Sequence, residues 1–152
     1  MNQEIAFGIF KTGRNIFLTG SAGTGKTYLL NQYIQYLQER DIQPTITAPT
    51  GIAASHIGGM TIHSFFGIGI KEWIDDYFLD CLLQKEYLYR RLRAMKVLII
   101  DEISMVSPEL FVSVDKILRA FKNSDKPFGG IQIILSGDFF QLPPVSKTAK
   151  KH

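Results

Sequence analysis

Cysteine is almost absent. The 152 residues hold one, Cys81, which excludes an internal disulfide framework and any zinc site built on paired cysteines. The three histidines form no His/Cys cluster that would hold a structural metal. No run of about 18 apolar residues occurs, which excludes a transmembrane helix and argues against a membrane partner. The first residues lack a charged segment followed by an apolar one, so a secretory signal is not expected. Internal repeats and low-complexity tracts are also missing. What is there fits an ordinary folded domain. Hydrophobic residues make up 45% and charged residues 20%, too apolar for a disordered chain, and the length suits one domain with a real core.

Charge of neither sign dominates. Lys and Arg number 17 against 14 Asp and Glu, a net +3. Lys147, Lys150 and Lys151 follow Asp138 with no further acid, so the body of the chain reads as balanced and the last residues as a solvated basic tail. On this count the charge alone is weak evidence for a nucleic-acid partner.

Apolar runs alternate with helical patterns. Arg14 to Thr19 reads as a strand that enters a glycine-rich turn, and Lys26 to Arg40 as a helix with Leu29, Leu30, Tyr33, Ile34 and Leu37 on one side. Thr45 to Ala48 is β-branched and reads as a second strand. Gly51 to Ile57 reads as a short helix stopped by Gly58 and Gly59. Lys71 to Met95 is expected to be helical, with Ile74, Tyr77, Phe78, Cys81 and Leu82 on one inward face. Trp73 and the neighbouring tyrosines are expected in the core. Val97 to Ile100 and Ile131 to Leu135 read as buried strands. Between them Ser107-Pro108 opens a helix striped by Leu110, Val114, Ile117, Leu118 and Phe121. Strand–helix alternation of this kind predicts an α/β fold with a parallel sheet, whose ligands bind at the carboxyl ends of the strands.

The chemically suggestive residues fall just after those strands. Gly20-Ser21-Ala22-Gly23-Thr24-Gly25-Lys26-Thr27 matches G-x-x-x-x-G-K-[ST] in full, between a strand and a helix. Glycines let the backbone curl so that its N–H groups face phosphate oxygens, and the following helix adds its positive end. Lys26 would reach the β- and γ-phosphates, and Thr27 would offer a hydroxyl to Mg²⁺. Asp101 and Glu102 follow the apolar strand VLII, where one carboxylate can hold Mg²⁺ and the next can take a proton from water. Without the upstream glycine loop the pair would read as an exposed acidic turn. Gln141 follows the last strand and could contact a γ-phosphate or equally cap a loop. Thr50 and Gly51 end a strand and open a helix, which is either a phosphate site or a plain N-cap. In Thr61-Ile62-His63-Ser64-Phe65-Phe66, His63 could contact phosphate and Phe65 could stack on a base, or both could be core residues.

The strings GSAGTGKT, APTGIAA, GGMTIHSFFGIG, DEISMV, PFGGIQIIL and GDFFQLPPV resemble, in order, the motifs of the petite-integration-frequency (Pif) family of superfamily-one DNA helicases. The likeness runs from about residue 3 to residue 147. It implies a RecA-like P-loop NTPase domain over residues 1–147, a basic tail at 148–152, ATP and Mg²⁺ as cofactors, and 5′-to-3′ translocation on single-stranded DNA. Replication, repair, recombination or telomere maintenance are the implied settings. The phosphate-binding roles fall on Gly20 to Thr27, and the magnesium ligands on Thr27 and Asp101. The catalytic base falls on Glu102 and the γ-phosphate-sensing glutamine on Gln141. The adenine-reading glutamine falls on Gln3. Contacts to DNA fall on Thr50, Gly51, Thr61 and His63, with Phe65 beside them. In this family a strand that follows the acidic motif inserts beside the glycine-loop strand.

The family's motor also has a second RecA-like domain, which supplies arginines to the transition state. This chain stops about ten residues past the third motif, so that domain is expected to be absent here and to act in cis or in trans. Such arginines contribute roughly 10³–10⁵ in rate, so hydrolysis by this chain alone is expected to be slow at most. The alternative is a nucleotide- and single-strand-binding module that does no unwinding. A P-loop ATPase with another substrate is the third possibility. The chain is expected to be a monomer inside the cell, in the nucleus or mitochondrion of a eukaryote or the cytoplasm otherwise.

Overall fold

A computed structural model describes residues 3–20 and 25–137 of the chain. Five strands, β1 (Ile16–Thr19), β2 (Thr45–Ala48), β3 (Met60–Thr61), β4 (Val97–Ile100) and β5 (Gln132–Gly137), form one parallel sheet in the order β1-β5-β4-β2-β3. The helices are α1 (Gln3–Lys11), α2 (Lys26–Gln38), α3 (Gly51–Ile57), α4 (Ile62–Phe66), α5 (Asp76–Leu83), α6 (Glu86–Arg93) and α7 (Pro108–Lys122). None of them is long and apolar enough to cross a membrane.

Side chains alternate across a strand, so an unbroken apolar strand must be covered on both faces. β4 does this with VLII. Val97 and Ile99 enter a core with Leu29, Leu30, Tyr33 and Leu37 of α2 and Phe10 of α1. Leu98 and Ile100 enter the opposite core with Leu88 and Leu92 of α6 and the α7 stripe. β5 splits the same way, with Ile134 on the first side and Ile133 on the second.

The elements read from the sequence are present with small shifts at their ends. α7 has the capping chemistry expected of it. The Ser107 hydroxyl accepts from the Leu110 N–H at 3.0 Å, Pro108 opens the first turn, and Asn123 ends the helix in the left-handed region.

The segment 71–95 departs from expectation. It is two short helices, not one, because the Asp75 side chain caps the first by accepting from Phe78 N–H at 2.8 Å and the chain turns again at Gln84 and Lys85. Ile74 is buried ahead of α5, its N–H donating to Ser113 Oγ and its carbonyl accepting from Lys116 Nζ. The break rotates Tyr77 out to 77% exposure. Trp73, Tyr87 and Tyr89 are about half exposed as well, so the core role expected of these aromatics is not met. Cys81 is half-buried. α1, β3 and α4 were not expected from the sequence; each is too short or too mixed in pattern to stand out, and contacts with α2 and the β2 edge hold them.

Candidate functional site

Parallel pairing puts every strand's carboxyl end on one rim. Thr19 of β1 stands beside Gly137 of β5, and Leu135 of β5 beside Ile100 of β4. The glycine loop leaves β1, the 137–141 segment leaves β5 and Asp101 leaves β4. At about 4.8 Å per strand the acid stands two strand spacings, roughly 10 Å, from the end of β1. The insertion of β5 between β1 and β4 is the arrangement that the family resemblance implies.

Around the glycine loop, Gly20 and Gly25 adopt positive φ, 142° and 87°, which an L side chain would resist. Gly25 is the N-cap of α2, so Lys26 and Thr27 fall in its first turn, where the helix leaves unpaired N–H groups. Ser21, Ala22, Gly23 and Thr24 lie outside the described residues, as do Gln141 and the basic tail. A cleft of about 640 Å³ opens beside this turn, lined by Ala6, Ile9 and Phe10 of α1, Phe17 of β1, Gly25 and Lys26. Its wall is apolar and one end carries the Gly25–Lys26 turn. Gln3 opens α1, the helix that forms this wall.

Asp101 is held from two sides. Its N–H donates to the Thr47 carbonyl at 2.9 Å, and its Oδ1 accepts from the hydroxyl of buried Ser136 at 2.6 Å. One carboxylate oxygen is thereby oriented and the other is left for a ligand. Glu102 follows with φ 54° and ψ 46°, a left-handed conformation that costs about 1–2 kcal/mol for a residue with a side chain. That turn is braced by Gly137, where an added Cβ would sit 3.1 Å from the backbone N of Ile103. Among the described residues no group of three or more His, Cys, Asp or Glu is placed to hold a metal by itself. A divalent ion would therefore share Asp101 and the Thr27 hydroxyl with phosphate oxygens, the oxygen-rich coordination that Mg²⁺ takes in phosphate sites.

The residues expected to meet DNA lie farther along the same rim. Ala48 of β2 pairs with Thr61 of β3, which brings Thr50–Gly51 and Thr61–His63 together at the sheet edge away from the glycine loop. Thr50 Oγ1 accepts from Ala53 N–H and Thr61 Oγ1 from Ser64 N–H, both at 3.1 Å, so each threonine is an N-cap. Gly51 is exposed, and a Cβ there would meet no described atom within 4 Å. His63 Nε2 is 3.0 Å from Glu72 Oε2. Glu72 also accepts from the hydroxyl of Ser107, the α7 cap. Phe65 is corrected: it is 8% exposed, edge-on to Phe66 and covered by the Arg91 guanidinium at 5.0 Å, so it is a core aromatic and offers little ring to a base.

Sequence reading missed Ser136 and Glu72. Ser136 was visible in principle, as the lone polar residue at the end of IQIIL, just before Gly137. Glu72 carried no local signal, because its partners lie 9 and 35 residues away.

The sequence model described as PIF1-like helicase matches residues 1–152. The chain is 51% identical to the ATP-dependent DNA helicase Pif1 of Psychrobacter sp. (strain PRwf-1), over all of this chain and 23% of that protein. The crystal structure of Pif1 helicase from Candida albicans superposes with a TM-score of 0.83 at 41% identity, covering 97% of this chain and 34% of that one. Pif1 helicase from Bacteroides in complex with ADP-AlF3 and single-stranded DNA gives 0.77 at 42% identity, covering 98% and 34%. The chain thus spans about a quarter of this curated relative and about a third of these two solved chains.

Proposed function

The chain belongs to the PIF1-like helicase family, and from that premise we propose that it is the first motor domain of an ATP-dependent 5′-to-3′ DNA helicase. One observation carries the reading: the strand order β1-β5-β4 sets the Lys26 turn and the Ser136-held Asp101 on one rim, with the apolar cleft beside them. The adenine end of ATP takes the cleft and the phosphates take the loop N–H groups and Lys26. Thr27 and Asp101 would hold a magnesium ion, whose chemistry there would be neutralisation of phosphate charge. Glu102 accepts the proton of the attacking water. Its backbone holds the left-handed turn that follows β4. Single-stranded DNA lies over Thr50, Gly51, Thr61 and His63, at the β2–β3 edge. Gln141 senses the γ-phosphate from the end of β5. Unwinding needs a second RecA-like domain that closes on the first and opens again.

The first experiment is nucleotide binding to this chain with Mg²⁺. Lys26→Ala is expected to weaken ATP affinity at least tenfold, since it removes a charge-assisted contact of about 1.5–3 kcal/mol, while the thermal midpoint without nucleotide is unchanged. Equal affinity in the two proteins would sink the proposal. Salt-sensitive DNA binding with no DNA-stimulated turnover, in a protein containing both motor domains, would favour a binding module instead.

A further inference from the structure

The balanced charge of the body conceals an uneven distribution. Residues 85–96 carry Lys85, Arg90, Arg91, Arg93 and Lys96 against the single acid Glu86, while the other 140 residues hold 12 basic and 13 acidic side chains. Within the balanced body, α6 and the residues flanking it therefore concentrate positive charge that acids elsewhere offset. Leu88 and Leu92 turn inward, and the helix repeat places Tyr87 and Arg91 on one flank and Tyr89 and Arg93 on the other.

Both flanks are built. Arg91 lies over Tyr87 and donates to the Phe65 carbonyl at 2.8 Å; Arg93 lies over Tyr89 and donates to the Phe121 carbonyl at 3.2 Å. Each guanidinium has five N–H groups, so donors remain, and the carbonyl bond holds the fork in place. Lys122 joins the cluster, its ammonium donating to the carbonyls of Arg93 and Met95. Burial and then the nearby charges of Arg93 and Lys96 push the Lys122 pKa down, which marks the local excess of positive charge. Next to α6 a groove of about 300 Å³ is lined by Arg91, Lys96, Gln43, Thr45 and Asp41. It sits where β2 and β4 begin, on the opposite rim from the glycine loop.

We propose that the α6 face and this groove bind the phosphodiester backbone of a nucleic-acid strand, as a second contact remote from the ATP rim. Guanidinium forks and ammonium groups fit phosphate oxygens, and Tyr87 and Tyr89, 50% and 45% exposed, offer ring surface for unpaired bases between them. Asp41 is the acid among the groove's lining residues and opposes the ligand. The inference stands whether or not Thr50 to His63 contact DNA.

The test titrates this chain with a fluorescent oligothymidylate at about 50 and 200 mM salt, the range over which phosphate contacts are read. Lys85→Glu/Lys96→Glu is expected to weaken binding about tenfold and to flatten the salt slope by about 1 for each lysine. Asp41→Asn is expected to strengthen it. His63→Ala, on the ATP rim, is expected to leave the residual slope of the α6 contact in place, which separates this proposal from the motor reading. Should the double reversal lower the thermal midpoint, Lys85→Gln/Lys96→Gln replaces it, with a smaller loss in the same direction. Unchanged affinity and slope in the folded variants would overturn the proposal. So would tighter, lysine-dependent binding of a labelled polyglutamate of equal length, which would make the partner an acidic peptide. A duplex arm with the same lysine dependence supports the contact and identifies the double strand as its source.

Discussion

At the scale of single residues, the site depends on side chains that do not themselves touch a ligand. Ser136 is the clearest. Its hydroxyl is buried and points one oxygen of Asp101. Ser136→Ala leaves that oxygen without its donor, a charged hydrogen bond worth about 1.5–3 kcal/mol. The expected result is a selective one: ATP affinity with Mg²⁺ falls several-fold, while affinity measured in EDTA stays near wild type. Equal losses in both conditions would mean that Ser136 only supports the fold. Gly59 acts through space alone. A Cβ there would lie 2.2 Å from the Ile46 carbonyl oxygen, and a backbone atom cannot yield as a flexible side chain can. Gly59→Ala must push the β2–β3 edge apart, and a loss of about 1–3 kcal/mol is expected in denaturant titration, on the scale of core overpacking. The same substitution at Gly51, which faces open space, is expected to leave stability near wild type.

At the scale of elements, α1 and α2 are fastened to the sheet by a polar knot within an otherwise apolar interface. The Tyr33 hydroxyl donates to Gln132 Oε1 at 2.8 Å, and Gln132 Nε2 donates to the carbonyls of Phe10 and Arg14. Phe7 and Phe10 meet the Tyr33 ring edge-on. Burial, opposed in part by the Gln132 hydrogen bond, raises the Tyr33 pKa above its ordinary 10.0. The unfolded chain then loses this proton at lower pH than the folded one. Its stabilising contribution is whole below about pH 10 and declines as pH rises through the folded value. Stability measured from pH 8 to 11 is expected to fall less steeply in Tyr33→Phe than in wild type, although the variant starts about 1 kcal/mol lower for the lost hydrogen bond. Parallel curves would show that Tyr33 does not carry the alkaline limb. Legibility varied between elements for a physical reason. α2 and α7 announce themselves because long helices repeat an apolar stripe and α7 carries its own cap and proline. The interval from Ile74 to Leu92 misleads because two short helices in succession, with Ile74 just ahead of them, mimic one long period. Only the Asp75 cap and the turn at Lys85 break it.

For the whole molecule, the sheet is a shared wall between two cores, a property legible in the apolar runs themselves. VLII is continuous and IQIIL is broken only by Gln132, a pattern that a doubly covered parallel strand accommodates in so small a domain. The same logic indicates which rim carries the chemistry, since Asp101 and Glu102 directly follow such a strand and the glycine loop before Lys26 follows β1. It could not reveal the contacts between distant segments, Ser136 to Asp101 or Ser107 to Glu72, because nothing local encodes a partner 35 residues away. Nor did net charge reveal the α6 face, because acids elsewhere cancel it in the sum. A shared wall has a thermodynamic consequence. Leu98 and Ile99 are adjacent on β4, both fully buried, and enter opposite cores. If the cores melted independently, Leu98→Ala would shift one transition and Ile99→Ala another. Because both cores close on the same strand, loss of either releases the other. Each substitution is expected to cost about 2–5 kcal/mol and to shift one two-state transition, seen identically by far-ultraviolet dichroism and by the fluorescence of Trp73. Two separable steps in either variant would show that the faces fold as separate units.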